Sequence, residues 1–220
     1  SSQGHPVLKS TLFATGAACA DCHEFAFPDT AIRGGVELMQ STMSEHASSR
    51  RRDLSCSSCH MRWVGEGEAR HRSHRFEASR DERSLRAAIS VVAKRTGETA
   101  ATLTLTPGEL GHAFPTGDLF RRLELVVEAV GVDWQVHARA VRYLTRHFGF
   151  KKQSGAQLRR VERDDRPLST PVLVEVDLGP EAKGRKLVWR LTYQRVEHPV
   201  SEDPGDAVVG GEIVVASGSL

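Results

Sequence analysis

Cysteine occurs at positions 19, 22, 56 and 59 and nowhere else, and each pair is followed at once by histidine: Cys19-Ala-Asp-Cys22-His23 and Cys56-Ser-Ser-Cys59-His60. Two thiols with two residues between them can add across the two vinyl groups of one porphyrin. The histidine that follows can then turn its imidazole to the iron from the proximal side, and Cys-x-x-Cys-His reads as c-type haem attachment. On this reading Cys19, Cys22, Cys56 and Cys59 bind the cofactor, and His23 and His60 are the proximal iron ligands. The expected cofactors are two covalently bound haem c groups.

Other chemistries of paired cysteines fit less well. A redox dithiol of the thioredoxin type needs a βαβ setting, which the surrounding pattern lacks. One zinc shared by two pairs has a spacing of about 15–20 residues between them, whereas positions 23 to 55, 33 residues, separate Cys22 from Cys56 here. Neither zinc nor two structural disulfides would explain a histidine after both pairs.

Each iron has a sixth position, and what fills it decides between electron transfer and ligand chemistry. His46, ten residues before Cys56, shares a helical face with Met39 and Met43 and is the first distal candidate. His74 in His71-Arg-Ser-His-Arg-Phe76 is the second, with His71 either bonded to a propionate or solvated. His112 is the third; it lies in Gly111-His-Ala-Phe-Pro-Thr-Gly117, a Gly/Pro-bounded loop that can hold an imidazole against a neighbouring domain, or expose it at a hairpin. His5 is a weaker candidate, and the two methionines fit better as adaptable packing than as ligands. Arg50, Arg51, Arg52, Arg72 and Arg75 flank these sites with guanidinium groups suited to haem propionates, although solvation is the ordinary state of any one of them. Trp63 is expected to pack beside the second haem.

The elements that must position these residues divide the chain. Residues 1–87 hold both motifs and few strand signals, and read as loops and short helices forming a dihaem cytochrome c domain. Residues 36–47 and 81–89 have helical patterns, the second with acidic residues in its first turn. From residue 88 to 220 the apolar period becomes two, as in Thr102–Thr106, Leu123–Val130, Val172–Leu178 and Leu187–Tyr193, with Gly and Pro between the runs. The expected fold class is therefore α+β: a loop and short-helix dihaem-binding region followed by an antiparallel β-sandwich of immunoglobulin-like type with six to eight strands. The polar, basic stretch 149–170 is expected to be an exposed loop.

A net charge of +2 gives no imbalance that points to nucleic acid, and 39% apolar residues suit a core completed by a prosthetic group. No apolar run approaches the roughly 18–20 residues that span a bilayer. The start Ser1-Ser2-Gln3-Gly4 reads as a mature or trimmed one. No Ser/His/Asp arrangement, phosphate-cradling Gly-rich loop or nucleic-acid motif rises above chance.

The N-terminal part resembles bacterial multihaem cytochromes c, in which an upstream histidine followed by CxxCH recurs and the histidine often ligates a different haem. His46-Ala-Ser-Ser-Arg-Arg-Arg-Asp-Leu-Ser-Cys-Ser-Ser-Cys-His60 looks like this unit, and the resemblance implies that His46 serves the haem attached at Cys19 and Cys22. Gly111-His-Ala-Phe-Pro-Thr-Gly-Asp-Leu-Phe-Arg-Arg-Leu123 is similar to a segment of β-domains attached to such cytochromes, which favours His112 as a ligand. The likeness covers about half the chain. It implies a periplasmic or otherwise extracytoplasmic bacterial location, and redox partner proteins that include a larger multihaem or membrane complex.

Electron transfer through two closely spaced, bis-histidine haems is the leading expectation, with the protein an electron carrier rather than an enzyme. A haem enzyme, a peroxidase or small-oxyanion reductase, would need one open distal site and a nearby acid–base group such as His71, His74 or Glu77. A third class is an assembly subunit whose β-domain holds a partner. The first expectation is checked by the intact mass of the mature protein, which should exceed that of the polypeptide by two iron porphyrins; a mass equal to the polypeptide alone removes it.

Overall fold

Alternating apolar residues form strands wherever one face can be buried, and the chain after residue 88 follows that rule. The computed structural model describes residues 11–27, 37–76, 79–153, 156–167, 169–200 and 203–220. Among these, the first part contains helices α1 (Leu12–Thr15) and α2 (Ala17–His23), strands β1 (Glu24–Ala26) and β2 (Leu38–Ser41), and helices α3 (Thr42–Ser48) and α4 (Cys56–His60). Strands β3 (Trp63–Val64) and β4 (His71–Arg72) and helix α5 (Glu82–Ala87) follow. The second part is made of strands β5 (Ile89–Arg95), β6 (Ala100–Pro107), β7 (Arg121–Val130), β8 (Val136–Leu144), β9 (Arg146–Gln153), β10 (Ala156–Asp164), β11 (Val172–Asp177), β12 (Lys186–His198) and β13 (Val208–Ser219).

Two antiparallel sheets dominate, one of order β11-β6-β5 and one of order β13-β12-β7-β8. Their inner faces share a core: Leu103 and Leu105 of β6 and Val176 of β11 meet Leu123, Leu125 and Val127 of β7 and Leu191 and Tyr193 of β12. Leu85 of α5 joins the same core, and Asp81 caps that helix by accepting from Ser84 N at 3.2 Å. The mostly β, α+β character expected from the sequence is therefore present.

Two expectations need correction. The stretch 36–47 is not one helix: Leu38–Ser41 pairs antiparallel with β1, Phe25 opposite Gln40, and only Thr42–Ser48 is helical. Ladder hydrogen bonds to a neighbour distant in sequence outweigh a weak helical period, and the face joining Met39, Met43 and His46 does not form. The stretch 149–170 is not a simple loop either, because most of it is the hairpin β9–β10, in which Phe148 faces Val161. That hairpin clasps the N-terminal part. Arg146 donates to the carbonyls of Met39 (3.1 Å) and Leu38 (2.7 Å), and the ring of Phe148 meets that of Phe27 edge-on at 5.3 Å.

A second clasp is buried. Glu45 of α3 pairs with Arg166 at 2.7 Å, with side-chain exposures of 8% and 6%. The carboxylate also accepts from Ser41 Oγ (2.9 Å), Ala113 N (3.2 Å) and Thr116 Oγ1 (2.5 Å). Arg166 donates further to Asp164 (2.8 Å) and to the Pro115 carbonyl (2.8 Å). Burial pushes the Glu45 carboxyl up, but the Arg166 guanidinium and the hydroxyl donors outweigh it and hold its pKa below the ordinary carboxylate value.

Arg166→Ala is expected to destabilise the fold by about 3–5 kcal/mol, because it strands a buried carboxylate, whereas Leu103→Ala should cost about 2–5 kcal/mol by opening a core cavity; urea unfolding measures both. Because Glu45 has its lowered pKa only when folded, its contribution is full above the ordinary carboxylate range and is lost as pH falls through the folded value. The gap between Glu45→Gln and the parent in urea midpoint should accordingly shrink on acidification.

Candidate functional site

Both CxxCH motifs are helical, so each pair of cysteines, three residues apart, faces one way. Gly16, left-handed at φ 77°, ends α1 and begins α2, and Cys19 N donates to its carbonyl at 2.9 Å. A Cβ at Gly16 would lie 3.0 Å from Cys56 Sγ, so the first motif's turn is pressed against the second motif's thiol. The Cys56 thiol lies near that of Cys19, and burial, with Cys56 beside it, pushes the Cys19 pKa up. The two attachment helices therefore adjoin. All four thiols are free of disulfides. Among the described residues, no group of three or more His, Cys, Asp or Glu side chains is placed to hold a metal ion by itself.

Neighbouring side chains lock this segment. Glu24, directly after His23, accepts from Met43 N and Ser44 N at 3.0 Å each and from Ser44 Oγ, closing the N-terminus of α3. Arg72 of β4 donates to the carbonyls of Ser57 (3.1 Å) and Met61 (2.9 Å), closing the C-terminal end of α4. Its guanidinium also lies 4.4 Å from the Trp63 ring centroid, with Arg70 at 4.8 Å.

The imidazole of His23 touches the Gln40 side-chain amide, with Nδ1 2.8 Å from Nε2. His60 lies beside His112 with ring centroids 6.0 Å apart and planes only 18° apart. Desolvation by the surrounding chain, then His112, then His23, hold the His60 imidazole below the ordinary histidine value. The loop Gly111–Gly117 thus brings one candidate ligand, His112, to a proximal one. The same loop inserts Phe114 into the core, where it stacks on Tyr193 at 5.8 Å.

His46 is brought close to that loop but is engaged: Nδ1 lies 2.8 Å from the Gly111 carbonyl and Nε2 2.9 Å from the Leu54 carbonyl. With each nitrogen at hydrogen-bond distance from a carbonyl oxygen, the ring presents no free nitrogen to a metal in this arrangement. A Cβ on Gly111 would come within 2.9 Å of His46 Nδ1, so glycine is what lets the two approach. His74 is exposed and lines a groove with Arg62, Val64, His71, Ser73 and Arg75. Of the flanking arginines, Arg51 pairs with Glu109, and Arg50 and Arg52 line a separate polar groove with Asp53. His5 and Glu77 fall outside the described residues.

The donor set fits covalent haem. Cys22, Cys59, His23 and His60 are all exposed. Close to the motifs in sequence, Leu12 (54%), Phe25 (39%), Leu54 (37%), Trp63 (51%) and Phe76 (66%) present apolar surface that an apolar macrocycle would cover. Sequence reasoning missed Gln40, Glu45, Thr116 and Arg166. Each is a polar residue whose partners lie far away in sequence, and no local pattern marks it as part of a buried network.

No protein-family model and no curated protein matches the chain. Among solved structures it is similar to a penta-haem cytochrome c552 from Thermochromatium tepidum, with a TM-score of 0.63 and 19% sequence identity over 95% of this chain and 56% of that one. The chain thus shares the fold of that cytochrome and spans little more than half its length. Among the described residues, no helix is long and apolar enough to cross a membrane.

Gly16→Ala places a side chain at positive φ, at a cost of about 1–2 kcal/mol, and pushes on Cys56. The variant is expected to unfold at lower urea and to carry less of the doubly modified species by intact mass.

Proposed function

We propose that the chain is a dihaem c-type cytochrome that passes electrons between redox partner proteins. The observation that carries this reading is the approach of the two CxxCH helices, with Cys56 Sγ packed against Gly16 at the start of α2, because it sets two attachment sites side by side. Each haem supplies a one-electron Fe(III)/Fe(II) couple when bound. The chain's own residues do the rest. Cys19 and Cys22 tether one group and Cys56 and Cys59 the other, while His23 and His60 ligate from the proximal side.

His112, whose ring stands 6.0 Å from that of His60 with the two planes 18° apart, would serve as the second protein ligand of the iron that His60 would hold. The sixth position of the iron at Cys19 and Cys22 is left to His46 or His74, and His46 must release one of its two carbonyls to take it. Two histidine-ligated low-spin irons suit a carrier and give lower potentials than a methionine ligand would.

In this reading residues 1–87 are the cytochrome domain and 88–220 a platform that lends His112. The strand order supports an immunoglobulin-like sandwich: by sequence position, β11-β6-β5 corresponds to E-B-A and β13-β12-β7-β8 to G-F-C-C′ of such folds. A periplasmic location and docking to a larger multihaem or membrane complex go with it. The longer structural neighbour is itself a penta-haem cytochrome, which supports a multihaem setting.

Electron paramagnetic resonance of the oxidised protein tests the assignment. The parent is expected to show low-spin signals only, and His112→Ala to convert one haem to a high-spin form that binds cyanide quickly. Unchanged signals in that variant remove His112 from the iron, and a high-spin haem in the parent favours the enzyme reading instead.

A further inference from the structure

Gln40 is 7% exposed, on β2 opposite Phe25. Its amide lies 2.8 Å from His23 Nδ1 and 3.4 Å from Thr42 Oγ1. Thr42 Oγ1 is 3.0 Å from Thr116 Oγ1, and Thr116 donates to the buried Glu45 carboxylate at 2.5 Å. Gly117, left-handed at φ 92°, passes so close that a Cβ there would stand 3.9 Å from Gln40 Nε2. The amide therefore sits on a strand backbone, beside a hydroxyl chain that runs from Thr42 through Thr116 to the Glu45–Arg166 pair.

A neutral imidazole carries one proton, on Nδ1 or on Nε2. A histidine that ligates through Nε2 must carry it on Nδ1, and that N–H then needs an acceptor, which metal-bound histidines have as a rule. Gln40 occupies that place for His23. A half-turn about the last side-chain bond exchanges amide oxygen and nitrogen without moving the contact, since the two ends are nearly the same shape. With oxygen inward, it accepts from Nδ1–H and gives up only the long 3.4 Å contact to Thr42 Oγ1, whose proton goes to Thr116. With nitrogen inward, it would hold the proton on Nε2, where the iron must bind.

We propose that Gln40 is the positioning residue of His23. Its side-chain oxygen accepts from Nδ1–H, fixing the tautomer and ring plane for ligation through Nε2 and making the imidazole a stronger donor, which lowers the potential of the haem at Cys19 and Cys22. This rests on His23 being a ligand of that haem.

Spectroelectrochemical titration of the intact two-haem protein tests it. The relevant wave is identified as the one missing from a Cys19→Ala/Cys22→Ala variant. Gln40→Leu removes the acceptor at similar bulk and is expected to shift that wave to higher potential. Gln40→Glu offers a stronger acceptor and is expected to shift it to lower potential, and the second wave stays in place in both. Loosened packing would move both variants the same way, so opposite signs report the hydrogen bond. A wave that does not move in Gln40→Glu, or that moves in the same direction in both variants, overturns the role of Gln40 and leaves the haem reading intact. A haem whose spectrum survives His23→Gly unchanged overturns the ligand assignment beneath it.

Discussion

A carboxylate taken out of water must be satisfied on every side, and Glu45 meets that demand with groups from three separate stretches of the chain. Ser41 lies in its own segment, Ala113 and Thr116 in the Gly111–Gly117 loop, and Arg166 just past β10. Leaving any of these donors unpaired, or the carboxylate without Arg166, would cost more than most surface contacts contribute. The result is a single allowed placement of α3 against the loop. His112 beside His60 and His46 against Gly111 both follow from it.

The attachment helices need such outside support. Helices of five to seven residues do not persist alone, because too few hydrogen bonds follow the costly first turn. Glu24 closes the start of α3, Arg72 closes the end of α4, and the β9–β10 hairpin holds β2 through Arg146. Exposed pairs such as Lys183–Glu98 and Arg86–Glu82 are of a different kind, since solvent screening leaves them worth about 0–1 kcal/mol at most. The sandwich core of Leu103, Leu125 and Leu191 supplies the rigid base on which these polar clasps act.

The Gly111–Gly117 loop joins the two levels. Phe114 is anchored in the core, Ala113 and Thr116 in the ion-pair shell, and His112, directly before them, stands beside His60. Three anchored residues within four positions of the imidazole are how a loop can hold it as firmly as a strand would. The loop can do so only because Gly111 lacks a Cβ and Gly117 accepts a positive φ.

Cysteine spacing and the histidine after each pair mark the residues that could hold a porphyrin, because the chemistry lies within five consecutive residues. Period-two runs likewise settle most strands of the second part, since alternation and burial of one face are the same fact written twice. What the sequence could not carry is pairing at a distance. Residues 38–41 form a strand because β1 lies beside them, β9 and β10 pair as a hairpin whose arginine reaches back to Leu38, and Glu45 with Arg166 is buried only once the two parts meet. Which imidazole stands opposite His60, and which amide touches His23, are decided by those long-range contacts, whose partners lie 17 to 121 positions apart and leave no local pattern.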